Sequence, residues 1–351
     1  MDDRQKKDQK KITIIDIAKK LGISPATVSN ALTGERYVKK ETIEKVKKMV
    51  EELHYSPNII ARALRGKKRN IIGLLTSNIN NPFNAEIISG VEDVLNKKDY
   101  ILVLNSTRFD AEIEKKAVMQ LNNLLVDGLV FVGGMSDFSH VELVIPQNTP
   151  VVLINRKITG SRFTDIAVDY KGAFRKIVEY LHESGHQRIG YVGWQKDSSI
   201  IPEEKLWGFT EGLDRVGISE NKRNIFLKNN IPIREFREYR EFAREIYPLI
   251  EQEGITSLVA QTDNIALGLI SGLNTLKVRI PDDISIVGCG NIAMSGSSSP
   301  PITTVHLPKI RMGRFGAEVL LGLMSKGKNK KQTIYLKTTL IKRESVRDIS
   351  K

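Results

Sequence analysis

At 351 residues, 40% hydrophobic and 27% charged, the chain has the make-up of a globular protein of two or three domains, with no apolar run long enough to span a bilayer. One cysteine, Cys289, excludes an internal disulfide and a multi-cysteine metal site, and the charged start MDDRQKKDQKK is unlike a signal peptide, so a cytoplasmic protein without a membrane partner is expected. The net charge of +13 is uneven: residues 1–68 hold 17 Lys/Arg against 9 Asp/Glu, the rest 37 against 32, which suggests a polyanion partner for the first fifth of the chain.

Thr13 precedes an amphipathic stretch, 14–21, in which Ile14, Ile17, Ala18 and Leu21 recur at helical spacing. Asp16, three residues on, makes a variant capping box, and Gly22 closes the helix. Ser24-Pro25 reads as an N-cap followed by proline at the first helical position. The helix it opens, 25–32, buries Val28 and Leu32 and exposes Ala26, Thr27, Ser29 and Asn30. Two short helices joined through one glycine form a helix-turn-helix pattern, and the second suits insertion into a major groove. A third helix, 40–53, presents Ile43, Val46, Val50 and Leu53 to the core and carries Lys45, Lys47 and Lys48 on its other face. A plain three-helix bundle is the alternative reading of this segment. Ser56-Pro57 then opens an eight-residue helix, 58–65, too short to be stable alone in water and so expected to fold on binding. Leu64, between Arg62 and Arg65, has the character of a minor-groove wedge.

Beyond residue 69, strand-like runs at 71–76, 101–105, 128–132, 151–155, 188–193, 257–261 and 285–288 alternate with helical stretches such as 84–96, 171–184 and 265–276. That alternation predicts doubly wound parallel sheet, and the length predicts two similar halves. His182 and His186 match HExxH literally, but Gly185 falls where the helical spacing ends, which puts His186 outside the helix. No phosphate-cradling glycine loop and no nucleophile elbow occurs, so neither enzymatic activity nor a cofactor is expected. His54 reads as a helix-end residue, His140 and His306 have no evident partners, 326–331 reads as a solvated loop, and Cys289 as a packed thiol.

The segments ITIIDIAKKLGISPATVSNAL and ELHYSPNIIARALRGKKRNIIGLL resemble the lactose/galactose repressor (LacI/GalR) family, densely over residues 12–84 and patchily to about 344. The resemblance implies an all-α helix-turn-helix headpiece and an α/β periplasmic-binding-protein-like core of two doubly wound parallel-sheet subdomains. On that pattern residues 1–11 are a basic tail, 12–55 the DNA-binding domain and 56–68 the hinge helix and linker. The core, 69–344, divides into an N-subdomain (about 69–168 and 305–333) and a C-subdomain (about 169–304 and 334–344), followed by a short tail, 345–351. Base contacts are implied for Pro25, Ala26 and Asn30, and phosphate or register contacts for Thr13, Ser24, Ser29, Tyr37, Lys39 and Tyr55. Asn58, Ala61, Leu64 and Arg65 would form the minor-groove hinge. Ser77, Asn81, Phe83, Asn84, Asn155, Arg156, Lys205, Trp207, Thr262, Asp263 and Asn291 would line or approach the effector cleft.

The resemblance also implies a homodimeric regulator, most simply a repressor, on a palindromic double-stranded operator. No leucine heptads follow the last strand, so a dimer rather than a tetramer is expected. Asn30 stands where many relatives have arginine, which predicts adenine in place of guanine at that base pair. In the cleft, Lys205 replaces an arginine and Thr262 an asparagine, while Gly288-Cys289-Gly290-Asn291 and Leu153-Ile154-Asn155-Arg156 lack the family's carboxylates. With Lys205 and Arg156 kept, an anionic effector (a phosphorylated sugar or organic acid) is expected. Another small molecule, or a protein co-repressor as in the family's catabolite-control branch, stands as the alternative. A sugar-binding module with a non-specific basic N-terminus is the rival from another class.

Overall fold

The computed structural model describes residues 12–34, 36–53, 55, 69–135, 137–158, 160–195, 200–218, 224–229, 235–326 and 331–350. They form two units, Met1–Arg69 and Asn70–Lys351. The first holds α1 (Ile14–Leu21), α2 (Pro25–Thr33) and α3 (Lys40–Glu52). Local chemistry sets these boundaries. The Thr13 side chain accepts from Asp16 N–H while the Asp16 carboxylate accepts from Thr13 N–H at 2.8 Å, so two orphan donors are satisfied reciprocally. Gly22 ends α1 in the left-handed region at φ 65°, and Ser24 Oγ caps α2 by accepting from Thr27 N–H at 3.0 Å. Ile17, Ala18, Val28, Ala31 and Val46 close a small core where the helices meet.

The second unit contains two six-stranded sheets among the described residues. The first is built from β1 (Ile71–Thr76), β2 (Ile101–Ser106), β3 (Gly128–Val132), β4 (Val151–Ile154), β5 (Thr164–Val168) and β11 (Thr333–Leu336), in the order β2-β1-β3-β4-β5-β11 and parallel throughout. The second uses β6 (Ile189–Trp194), β7 (Asn224–Lys228), β8 (Ser257–Ala260), β9 (Ser285–Gly290), β10 (Thr303–His306) and β12 (Thr339–Ile341) in the order β7-β6-β8-β9-β10-β12. Only β12 is antiparallel to its neighbour among these pairings. Strands β1, β3, β4, β5, β8 and β9 are buried along their whole length, as parallel strands covered on both faces must be.

Helices α4 (Pro82–Asn96), α5 (Ala111–Asn123) and α6 (Ser139–Glu142) belong with the first sheet, and α7 (Tyr170–Glu183), α8 (Ile200–Arg215), α9 (Glu235–Gln252), α10 (Asp263–Thr275) and α11 (Ala293–Ser297) with the second. The chain passes between sheets after β5, after β10, and between β11 and β12, so α12 (Lys309–Lys326) packs back on the first sheet. Because Thr303–His306 pair with β9 and Thr333–Leu336 with β5, the second and third crossings fall slightly beyond the expected residues 304 and 334. Residues from 345 onward are stitched to the second sheet: Ser345 Oγ donates to Ile286 O at 2.5 Å and Ile349 N–H to Ser184 O at 2.8 Å.

Helices α4 and α12 cross at glycines. A Cβ on Gly90 would lie 2.2 Å from Ile310 O, and one on Gly313 would lie 2.0 Å from Ile87 O. The two backbones therefore approach too closely for any side chain. Gly313→Ala is expected to destabilise the protein by about 1–3 kcal/mol through overpacking. A urea titration reads this as a lowered midpoint, and an unchanged midpoint contradicts it.

Candidate functional site

The headpiece presents an open polar surface along α2. Pro25 and Ala26 are exposed at its start, while Ser29 and Asn30 are half-buried farther along. Tyr37 is 93% exposed, Lys39 is exposed just before α3, and Tyr55 packs against the small core. The hydroxyls of Thr13 and Ser24 are engaged in their own helix caps. Asn58, Ala61, Leu64 and Arg65 lie outside the described residues, as do His54 and most of the 326–331 loop.

In the second unit the strand order puts a switch point between β1 and β3 in one sheet and between β6 and β8 in the other. Chains that leave opposite ways at such a point open a crevice at the strands' carboxyl ends. Residues from all four strand ends meet there: Ser77 after β1, Gly133 and Gly134 after β3, Trp194 closing β6 and Gln261 after β8. They enclose a cavity of about 120 Å³. That is small beside the roughly 300–1,000 Å³ of drug-sized pockets. Asn81, Phe83, Asn84, Phe109 and Asn155 complete the wall from the first sheet's side, and Tyr170, Lys205, Glu235, Thr262, Asp263, Asn264 and Cys289 that from the second. The Phe109 and Trp194 rings meet across it edge-on, 6.4 Å apart.

Residues 13–58 match the family described as bacterial regulatory proteins, lacI family, and residues 178–346 match the periplasmic binding protein-like domain. The chain is 32% identical over 340 residues to the HTH-type transcriptional repressor PurR of Aliivibrio salmonicida, covering 95% of this chain and 98% of that one. It is 30% identical over 336 residues to the ribose operon repressor of Haemophilus influenzae, covering 95% and 98%. The chain belongs to the LacI/GalR family. Among solved structures, the lac repressor dimer bound to operator and the anti-inducer ONPF superposes with a TM-score of 0.81 at 25% identity, over 96% of this chain and 100% of that one.

Not every residue named from the LacI/GalR pattern reaches the cavity. Ser77, Asn81, Phe83, Asn84, Asn155, Lys205, Thr262 and Asp263 do. Trp207 is 54% exposed and lies outside the lining. Asn291 turns to the crossing strands, its Oδ1 accepting from Arg343 at 2.7 Å and its Nδ2 lying 3.0 Å from His306 Nδ1. Arg156 is buried behind the cavity wall. Its guanidinium grips both Glu114 carboxylate oxygens, donates from Nε to Met135 O at 2.8 Å, and lies over the Phe138 ring. Burial pushes the Glu114 carboxyl up, yet the hydrogen bonds from His140 and Arg156 outweigh it and hold it below the ordinary carboxylate range. His140 has a partner after all, 2.8 Å from Glu114 Oε2.

Sequence reasoning missed Phe109, Tyr170, Trp194, Glu235, Gln261 and Asn264. Gln261 and Trp194 sit at the ends of predicted strands, where the switch-point rule would have flagged them. Glu235, the first residue of α9, carried no such signal. Thr262 Oγ1 donates to its Oε2 at 3.0 Å, and Lys205 donates to Gln261 O at 3.0 Å with its ammonium over the Tyr170 ring. Burial pushes the Cys289 thiol up to about 11, so it is an unreactive packed group. The HExxH match is not a zinc site, since α7 ends at Glu183 and Gly185 turns left-handed at φ 91°. His186 leaves the helix axis and is buried, with Nδ1 2.9 Å from Thr256 Oγ1 and Nε2 3.1 Å from Arg347 O. No helix among the described residues is long and apolar enough to cross a membrane.

Near the first crossing, Lys157 after β4 pairs with Glu204 on α8, joining the two halves. Asp165 on β5 is buried within range of both charges, with Oδ1 unpartnered among the described residues, and burial pushes its carboxyl up to about 7. A carboxyl protonated in the fold but ionised in the unfolded chain makes stability fall as pH rises from about 4 to about 7. Asp165→Asn should flatten that decline in urea titrations across this window, and a parallel decline in the variant would contradict it. Glu114→Ala leaves the Arg156 charge buried and unpaired, an expected loss of about 3–5 kcal/mol. The loss should be full at neutral pH and shrink as pH falls below the ordinary carboxylate range, where the wild-type partner itself protonates; thermal unfolding at pH 7 and pH 3 checks both.

Proposed function

We propose that this protein is a homodimeric repressor that places α2 of each headpiece in the major groove of one half-site and is controlled by a small neutral polyhydroxylated effector in the cavity. The observation that carries this is the enclosed cavity at both switch points, where residues of two subdomains face each other and closure on a ligand changes their relation. Linkage then requires that effector and operator alter each other's affinity by the same factor. The ribose operon repressor and PurR are relatives over nearly the whole length, and the lac repressor dimer on its operator has the same fold, which supports both the dimer and the DNA target.

The exposed start of α2 supports base contacts from Pro25, Ala26 and Asn30, with Thr13, Ser24, Ser29, Tyr37, Lys39 and Tyr55 near the phosphates. Asn58, Ala61, Leu64 and Arg65 belong to the same proposal as the minor-groove hinge. The sequence favoured an anionic effector on the strength of Lys205 and Arg156. The Arg156 guanidinium is spent on Glu114, and Glu235 adds a carboxylate to the cavity, so an uncharged ligand is the better fit.

Selection of bound sequences from a random DNA pool tests the reading. A palindromic site with adenine opposite Asn30 is expected, and salt-steep but sequence-indifferent retention would overturn it. Asn30→Arg should shift that position to guanine by about 1–3 kcal/mol of discrimination, whereas unchanged base preference would sink the Asn30 assignment.

A further inference from the structure

Most polar groups around the cavity are already engaged by protein. Asp263 spends Oδ1 on Thr304 Oγ1 at 2.5 Å and Oδ2 on Ile292 N–H at 2.9 Å. Thr262 accepts from Ile265 N–H at 3.2 Å and donates to Glu235. Gln261 is pinned to the Trp194 backbone through both ends of its amide, and Asn155 Oδ1 accepts from Tyr170 OH at 2.5 Å. The loop after β9, Gly290-Asn291, supplies no carboxylate, and Asn291 faces the crossing strands instead.

Glu235 stands apart. A carboxylate accepts about four hydrogen bonds, and the Thr262 hydroxyl, the Asn264 amide and the Trp194 indole act on this one, while burial pushes its carboxyl up. Acceptor capacity is therefore left over in a group that lines the cavity. The buried Trp194 indole N–H beside it is one of these donors. The Lys205 ammonium, also in the lining, acts on Glu235 through its charge. The cavity thus offers a carboxyl acceptor and a cationic donor, with the Phe109 and Trp194 rings as apolar walls. That set matches a ligand with adjacent hydroxyls and a C–H face. It opposes a phosphate, which would put a second anion against Glu235.

We propose that Glu235 is the specificity-determining residue of the cleft, receiving the hydroxyls of an uncharged sugar and excluding phosphorylated analogues. This rests on the reading of the cavity as the effector site. The carboxylate that this chain lacks after β9 is supplied instead from the start of α9, on another side of the same cavity.

Isothermal titration of the full chain with D-ribose, D-xylose, D-glucose and D-galactose, and with D-ribose 5-phosphate and D-glucose 6-phosphate, tests it. At least one neutral sugar should bind the wild type. Glu235→Gln should weaken that sugar by about 10- to 100-fold, the worth of a charged hydrogen bond, and narrow the gap to the phosphates. Glu235→Asp should recover part of the loss, and far-UV circular dichroism confirms that both variants fold. Equal affinity for Glu235→Gln and wild type, with binding abolished by Lys205→Met, overturns the role of Glu235 while leaving the cleft reading standing. Binding of the phosphates alone overturns the proposal as well. If neither class binds the wild type, the effector-site reading itself fails, and the role of Glu235 with it.

Discussion

The ammonium of Lys309 is buried at the second crossing, and three oxygens from both halves of the core hold it. It donates to Gly290 O and Asn291 O at 2.7 Å each, beyond β9, and pairs with Glu86 on α4 at 3.4 Å. Taking an ammonium out of water costs several kcal/mol, so such a group persists only where partners are complete. Losing any one of these oxygens therefore costs more than an ordinary hydrogen bond. Gly290 lines the cavity, and Asn291 carries on to His306 and Arg343 on the crossing segments. The position of the cavity's second wall is thus tied to the connections between halves, which is where an opening or closing motion must be absorbed.

Charge in the cleft is governed as much by what the fold sequesters as by what it displays. Arg156 lies close behind the wall, near enough that a Cβ on Gly134 would meet its guanidinium at 2.9 Å. Its fork on Glu114 and its place over Phe138 leave it no reach into the cavity. It instead holds the Gly133–Gly134 turn in shape through Met135 O. Lys157 is likewise tied across the halves to Glu204. Of Arg156, Lys157 and Lys205, only Lys205 is in the lining. Charge counted along the sequence and charge presented to a ligand are different quantities here.

The headpiece was legible because its signals are local. Thr13 with Asp16, Gly22, and Ser24 with Pro25 each fix a helix end within four residues, and the helices form at those ends. The buried strands 71–76, 128–132 and 151–154 were legible as unbroken apolar runs. β7 and β11 were not, because they are half-exposed strands of mixed composition at or near sheet edges. β10 begins with two threonines that are wholly buried; their hydroxyls bond Arg343 O and Asp263, partners about 40 residues away. Arg156 was placed in the cleft by motif position alone, since its partner Glu114 lies 42 residues earlier and no periodicity links the two. Glu235 was invisible for the complementary reason: nothing around it in sequence says where the start of α9 points.

Three crossings also have a consequence for how the chain is made. β11 edges the first sheet and β12 the second, and Ser345 then fills a buried slot between Ile286 O and Thr303 N–H. Neither half is a continuous stretch of polypeptide. A ribosome that has released everything up to α11 has delivered most of both sheets but has completed neither. The last strands and helix to emerge must dock onto two partly built surfaces at once, so the two halves reach their final form together rather than in order of synthesis.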